Sequence, residues 1–261
     1  MTTAALLPDR RPAVVLLHSS MSSRSQWAAL MSEHERSYRF LALDLLGYGK
    51  APFPDHAMRA NFSLAHEVEA VQAALATHLA PDEPFHLVGH SYGGATALRL
   101  ARTLPARILS LAVFEPVAFH LLDESDAERA EIGAVIAAIE TAVTPEDATR
   151  RFIDYWNGPG AFDALTAPVR ARFAAQVAKV RLDFTALLGE PATLADMAAI
   201  AVPALLLSGR AGPASTRAVV TRLAAALPHA TTAQTPGGHM APVTHAADVN
   251  RELAAFLARV S

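Results

Sequence analysis

The chain has 261 residues, 52% of them hydrophobic and 18% charged, enough for a sizeable core in one large domain or a domain carrying an insertion. A net charge of −3 with dispersed charged residues leaves no basic footprint for nucleic acid and no polybasic anchor. The absence of cysteine excludes disulfides and thiolate chemistry.

The opening "MTTAALLPDRRP" does not read as a secretory signal, because its apolar stretch is short and the basic residues follow it. The longest apolar run, "AAIAVPALLL" (198–207), contains a proline and falls short of the ~20 residues a membrane span needs. A cytoplasmic protein that acts on a small molecule, with neither nucleic acid nor membrane as partner, is expected.

Along the chain, "AVVLLH" (13–18) and "FLALD" (40–44) come first as short, nearly continuous apolar runs, the pattern of strands buried on both faces. Leu64, Val68, Val71, Leu75 and Leu79 then recur every three or four positions, predicting a helix within 63–80. Two further runs, "FHLVG" (85–89) and "LSLAVFE" (109–115), read as strands. From 118 to 200 the pattern is helical throughout, with Thr144-Pro145-Glu146-Asp147 as a helix start and "NGPG" (157–160) as a break. "PALLLS" (203–208) is a fifth strand and "ATTAQT" (230–235) a weaker sixth. Val249, Leu253, Phe256, Leu257 and Val260 mark a final helix.

Strands alternating with helices predict an α/β fold with a mostly parallel central sheet flanked by helices, and a ligand site at the C-terminal strand ends. The predicted division is a core of residues 1–117 and 201–261 with an all-helical cap at 118–200 lying over those ends. Extra scaffold helices are the alternative reading of that interval.

The most informative stretch is "FHLVGHSYGGATALRL" (85–100), in which Gly89-His90-Ser91-Tyr92-Gly93 joins a strand to a helix. Gly-x-Ser-x-Gly in that setting is a nucleophile elbow. The serine takes a strained conformation that lifts its hydroxyl clear of the sheet, and glycine on either side leaves room for the turn. The N–H of Tyr92 then opens the helix and can donate to an oxyanion. The candidate base is His239, on the glycine-flanked "GGHM" loop between the last strand and the last helix; His245 is the runner-up.

On "LLHSSMSSRSQW" (16–27), "ALDLLGYGK" (42–50), the elbow and "TPGGHMAPVTHAADVN" (235–250), the chain resembles the α/β-hydrolase fold superfamily over nearly its whole length. The resemblance implies a serine nucleophile, a histidine base near the C-terminus and an acid between them, with a helical cap after the family's sixth strand. The family's first two strands have no counterpart here. The resemblance places the second oxyanion donor at the N–H of Ser20, with Tyr92 as its partner. The family's His-Gly loop reads His18-Ser19, a substitution that matters if the backbone there needs φ > 0.

Relatives commonly carry the acid in a Gly-x-x-Asp turn. Here that turn is Gly209-Arg210-Ala211-Gly212 and holds no carboxylate. Asp44 precedes the nucleophile, and Asp123 and Glu124 read as exposed. Glu115 ends the strand "LAVFE", as in haloalkane dehalogenases, and keeps the order Ser91, Glu115, His239. A carboxylate there needs a partner, and an imidazole N–H supplies one. The alternative is a structural glutamate pinning the hinge.

The expected activity is hydrolysis of a small carboxylic ester or lactone through an acyl-enzyme, with no metal or organic cofactor. Phe119, Tyr155 and Trp156 are candidates for the substrate surface. The alternatives are C–C hydrolysis of a ring-cleavage dienoate, which asks for Arg151, Arg170 or Arg172 to face inward, and a non-catalytic small-molecule binder.

Overall fold

A computed structural model describes residues 11–261, and the opening segment read above against a secretory signal lies almost wholly outside them. The five apolar runs and the weaker sixth candidate all form strands: β1 (Ala13–Leu17), β2 (Arg39–Leu43), β3 (Phe85–His90), β4 (Ile108–Phe114), β5 (Ala204–Gly209) and β6 (Ala230–Thr235). They pair in parallel in the order β2-β1-β3-β4-β5-β6. The inner strands β1, β3, β4 and β5 are buried almost throughout, as continuous apolar runs predict. The two edge strands depart from that expectation. Strand β2 is half-buried along its length, and β6 exposes Thr231, Thr232 and Gln234. An edge strand can afford those polar residues, which is why β6 is the weakest signal in the sequence.

Period-two alternation divides the core. Val15, Leu17, Leu87, Leu111, Val113 and Leu206 point to one face, under α3 (Leu64–Ala76), α4 (Tyr92–Thr103) and α10 (Ala214–Ala226). Val14, Leu16, Val88, Ala112, Phe114, Leu205 and Leu207 point to the other. There they meet Trp27, Leu30 of α1 (Ala28–His34), and the Val249, Leu253, Phe256 and Leu257 stripe of α12 (Ala246–Val260). The short α2 (His56–Ala60) and α11 (Ala241–Thr244) lie in the loops.

Between β4 and β5 the described chain is helical: α5 (Ala127–Glu140), α6 (Pro145–Asn157), α7 (Ala167–Ala174), α8 (Val177–Leu188) and α9 (Leu194–Met197). Helix α6 starts as its sequence dictates, with the Thr144 hydroxyl accepting the Asp147 N–H at 3.1 Å and Pro145 at the first position. It stops at Gly158, whose φ of 98° suits glycine. Among the described residues no helix is long and apolar enough to cross a membrane.

Candidate active site

Strand β3 ends at His90 and α4 begins at Tyr92, leaving Ser91 between them at φ 55° and ψ −118°. A non-glycine residue held there stores on the order of 1–3 kcal/mol of strain. The flanking glycines are set by close approach. A Cβ on Gly93 would stand 2.5 Å from the Leu17 carbonyl oxygen at the end of β1, and one on Gly89 2.8 Å from the Gly93 carbonyl carbon. The elbow is therefore wedged against β1, while the Ser91 N–H donates to Phe114 O on β4 at 3.0 Å.

Ser91, His239 and Glu115, far apart in sequence, form one hydrogen-bonded chain. The His239 Nε2 lies 2.8 Å from Ser91 Oγ, and its Nδ1 lies 2.7 Å from Glu115 Oε2. A carboxylate only accepts, so Nδ1 carries the proton and Nε2 is free to accept from the serine hydroxyl. All three are buried. A base oriented by a third group and within reach of a hydroxyl is the geometry that activates an oxygen nucleophile.

The seat of Glu115 is built by the β5 turn. Its Oε1 accepts the Gly209 N–H at 2.8 Å and its Oε2 the Thr216 hydroxyl at 3.0 Å. The Glu115 N–H donates to Leu207 O on β5, and the residue sits at φ 40° directly before Pro116. Pre-proline residues favour extended backbone, so this is a second strained position at the site. Gly212, the last position of the turn in which the resemblance would put the acid, is the gap that the carboxylate fills: a Cβ there would overlap Oε1 and stand 2.8 Å from Cδ.

Two aromatic rings bracket His239. His90 holds its backbone, with Nε2–H donating to the His239 carbonyl at 2.9 Å. Burial, then the neighbouring His239, pushes His90 well below its ordinary pKa, so it is neutral. On the other side the indole of Trp156, from α6, stacks on the imidazole at a centroid distance of 4.0 Å and 27° between planes. A cavity of about 460 Å³ opens here, lined by Tyr155, Trp156, Pro213, Gly238, His239 and Met240 among others. Phe119 is fully buried in the apolar core and lines no part of this cavity.

The loop after β1 turns beside the elbow. The His18 Nδ1–H donates to Ser19 O at 2.7 Å and its Nε2 accepts the Leu45 N–H at 3.0 Å. Burial lowers its pKa to about 4, fixing the neutral form. The condition under which Ser19 would matter, a positive φ there, is not met: positive φ falls on Met21, at 56°, so serine at 19 meets no left-handed constraint. The Ser20 hydroxyl donates to Asp183 of α8 at 2.6 Å. None of the three arginines considered for a cationic pocket lines the cavity at His239. Arg151 and Arg172 are exposed, and Arg170 is tied to Glu146 and to the Asp163 and Leu165 carbonyls.

Three features of the site escaped the sequence: the gap at Gly212, the Thr216 hydroxyl under the acid, and the buried pair Lys179 and Asp183. The last left a faint trace, opposite charges four residues apart, but such pairs are ordinarily solvated.

Comparison with known proteins agrees with the fold. The sequence is 37% identical over 108 residues to a probable lysophospholipase, BODYGUARD 1, from Arabidopsis thaliana, covering 40% of this chain and 22% of that protein. It is 32% identical over 241 residues to a putative carbamate hydrolase, RutD, from Variovorax paradoxus, covering 87% of this chain and 84% of the relative. The first of these matches thus spans about a fifth of the relative's length, the second most of it. The enol-lactonase from Burkholderia xenovorans superposes with a TM-score of 0.76 at 19% identity, over 96% of this chain and 92% of that one, a likeness of fold. Residues 14–252 match the model of the alpha/beta hydrolase family. The chain belongs to that family.

Proposed function

We propose that this hydrolase cleaves small carboxylic esters or lactones through an acyl-enzyme on Ser91. The observation that carries the reading is the unbroken chain from Ser91 Oγ to His239 to Glu115, at 2.8 and 2.7 Å, on a strained elbow. Ser91 attacks the carbonyl carbon while His239 Nε2 takes its proton, and Glu115 holds the resulting imidazolium. The oxyanion is received by the N–H groups of Tyr92 and Ser20. His239 returns the proton to the leaving oxygen, then draws one from water, whose attack on the acyl carbon releases the acid and restores Ser91.

Residues 118–200 act as the cap. Tyr155 and Trp156 bring its α6 against His239, where the indole face favours the imidazolium and keeps water from the ring. The exposure of Arg151 and Arg172 and the engagement of Arg170 away from the cavity weigh against a dienoate carboxylate as ligand. The likeness to the putative carbamate hydrolase places aryl carbamates beside aryl esters and lactones in the substrate panel.

The test is fluorophosphonate labelling, with the adduct located by peptide mass. Rapid labelling at Ser91 that collapses in Glu115→Gln is expected. Equal labelling of both proteins overturns Glu115 as the acid; no labelling and no turnover of the panel overturns the hydrolytic reading in favour of a binder.

A further inference from the structure

Beneath the helical segment lies a group of charges that the reaction above does not use. Lys179 on α8 is fully buried, with its ammonium bonded to Glu67 Oε1 of α3 at 2.9 Å and to Asp183 Oδ1 one turn along α8. The rings of Tyr48, Phe62 and Tyr92 surround it at 4.7 to 4.9 Å. Each carboxylate is fully engaged. Asp183 Oδ2 accepts the hydroxyls of Ser20 and Tyr48, both at 2.6 Å. Glu67 accepts the Tyr92 hydroxyl and the Leu46 N–H, both at 3.1 Å.

Buried ions are a poor route to stability, since well-packed apolar residues in their place often serve as well or better. What this cluster supplies is position. Two of the hydroxyls it holds belong to Ser20 and Tyr92, the residues whose backbone N–H groups receive the oxyanion in the reaction proposed above. Ser20 hangs from Asp183, Tyr92 from Glu67, and Lys179 joins the two carboxylates. The turn being held is one the backbone alone does not favour, because Met21 directly after Ser20 stands at φ 56°.

We infer that Asp183, Lys179 and Glu67 are positioning residues that fix the oxyanion hole through the side chains of Ser20 and Tyr92, and that the hole is complete only when α8 is seated on the core. This rests on the acyl-enzyme reading above. It gives the helical segment a part in the chemistry beyond covering the site: Lys179 and Asp183 enter from above, Glu67 from below.

The experiment compares phenyl acetate with its thionoester. In both, Ser91 attacks the same carbon and His239 takes the same proton. The charge moves onto oxygen in one and onto sulfur in the other, and sulfur is a longer, weaker acceptor that draws little from the hole. A distorted hole therefore slows the oxoester selectively, whereas general disorder slows both. Ser20→Ala leaves all three charges in place and removes one hydroxyl; Asp183→Asn and Lys179→Met disrupt the cluster itself.

The expected result in Ser20→Ala and in any folded cluster variant is an oxoester kcat lower by about tenfold or more, with the thionoester rate within about threefold of wild type. Removal of a whole oxyanion donor costs about 10²–10³ elsewhere, and displacement should cost less. A parallel fall of both rates, or no change in either, overturns the inference while wild-type labelling at Ser91 keeps the hydrolytic reading intact. A wild type that neither labels nor turns over overturns both.

Discussion

The ends of β4 and β5 stand side by side and divide one task. Strand β4 delivers the carboxylate of Glu115 but offers it no hydrogen-bond donor of its own. The β5 turn has no carboxylate yet supplies the Gly209 N–H, the Thr216 hydroxyl on α10 and, at Gly212, the empty volume. Carboxylate and donors thus come from two neighbouring strands rather than from one. What the proposed chemistry requires is a carboxylate at His239 Nδ1, whichever strand sends it, and the bare Cα at 212 is what leaves room for the carboxylate of Glu115.

The most severe way to break this division is to remove the charge. Glu115→Gln should lower kcat by about 10³–10⁴, as loss of the acid does in a serine protease triad, measured as aryl-ester turnover. Moving the acid back sharpens the comparison. Gly212→Asp alone should be nearly inactive, because its Cβ overlaps Glu115 Oε1. Combined with Glu115→Ala, the same substitution should recover about 10- to 100-fold over Glu115→Ala alone, since ~2 kcal/mol is the order of one charge-assisted hydrogen bond. No recovery would mean that the β5 turn cannot aim a carboxylate at His239. A smaller loss, about tenfold in kcat, is expected for Thr216→Val, which leaves the acid in place and removes one donor.

The mildest prediction concerns pH, away from both ends. His18 has a folded pKa of about 4 against an ordinary 6.5, with burial as the main cause. The unfolded chain therefore binds the proton first as pH falls. Its contribution is full above about 6.5 and is lost progressively toward 4, amounting to about 3 kcal/mol at most. Urea unfolding between pH 7 and 4 should show that decline, and a flat profile would refute it.

The sequence was most legible where a pattern is local. The inner strands are uninterrupted apolar runs, the elbow is five consecutive residues, and the α6 cap lies within four. Glu115 was legible for a different reason: a charge ending an apolar strand before a proline needs an explanation, and few partners were available. What stayed hidden depends on contacts made only by the folded chain. Gly212 looks like any glycine until Glu115 is placed against it, 97 positions earlier in the chain. Lys179 and Asp183 look like a solvated helix pair until α8 is laid on Glu67 and Ser20. Whether Ser19 needed a positive φ could be answered only by the folded backbone, in which the left-handed residue of this turn is Met21, two positions later.

The stacking of Trp156 on His239 has an optical consequence. The chain contains two tryptophans, and Trp27 is buried on the opposite face of the sheet. An imidazolium in van der Waals contact quenches indole emission far more than a neutral imidazole does. The fluorescence of Trp156, whose ring centroid lies 4.0 Å from that of His239, is thus a built-in optical probe of the site, available without substrate, label or mutation.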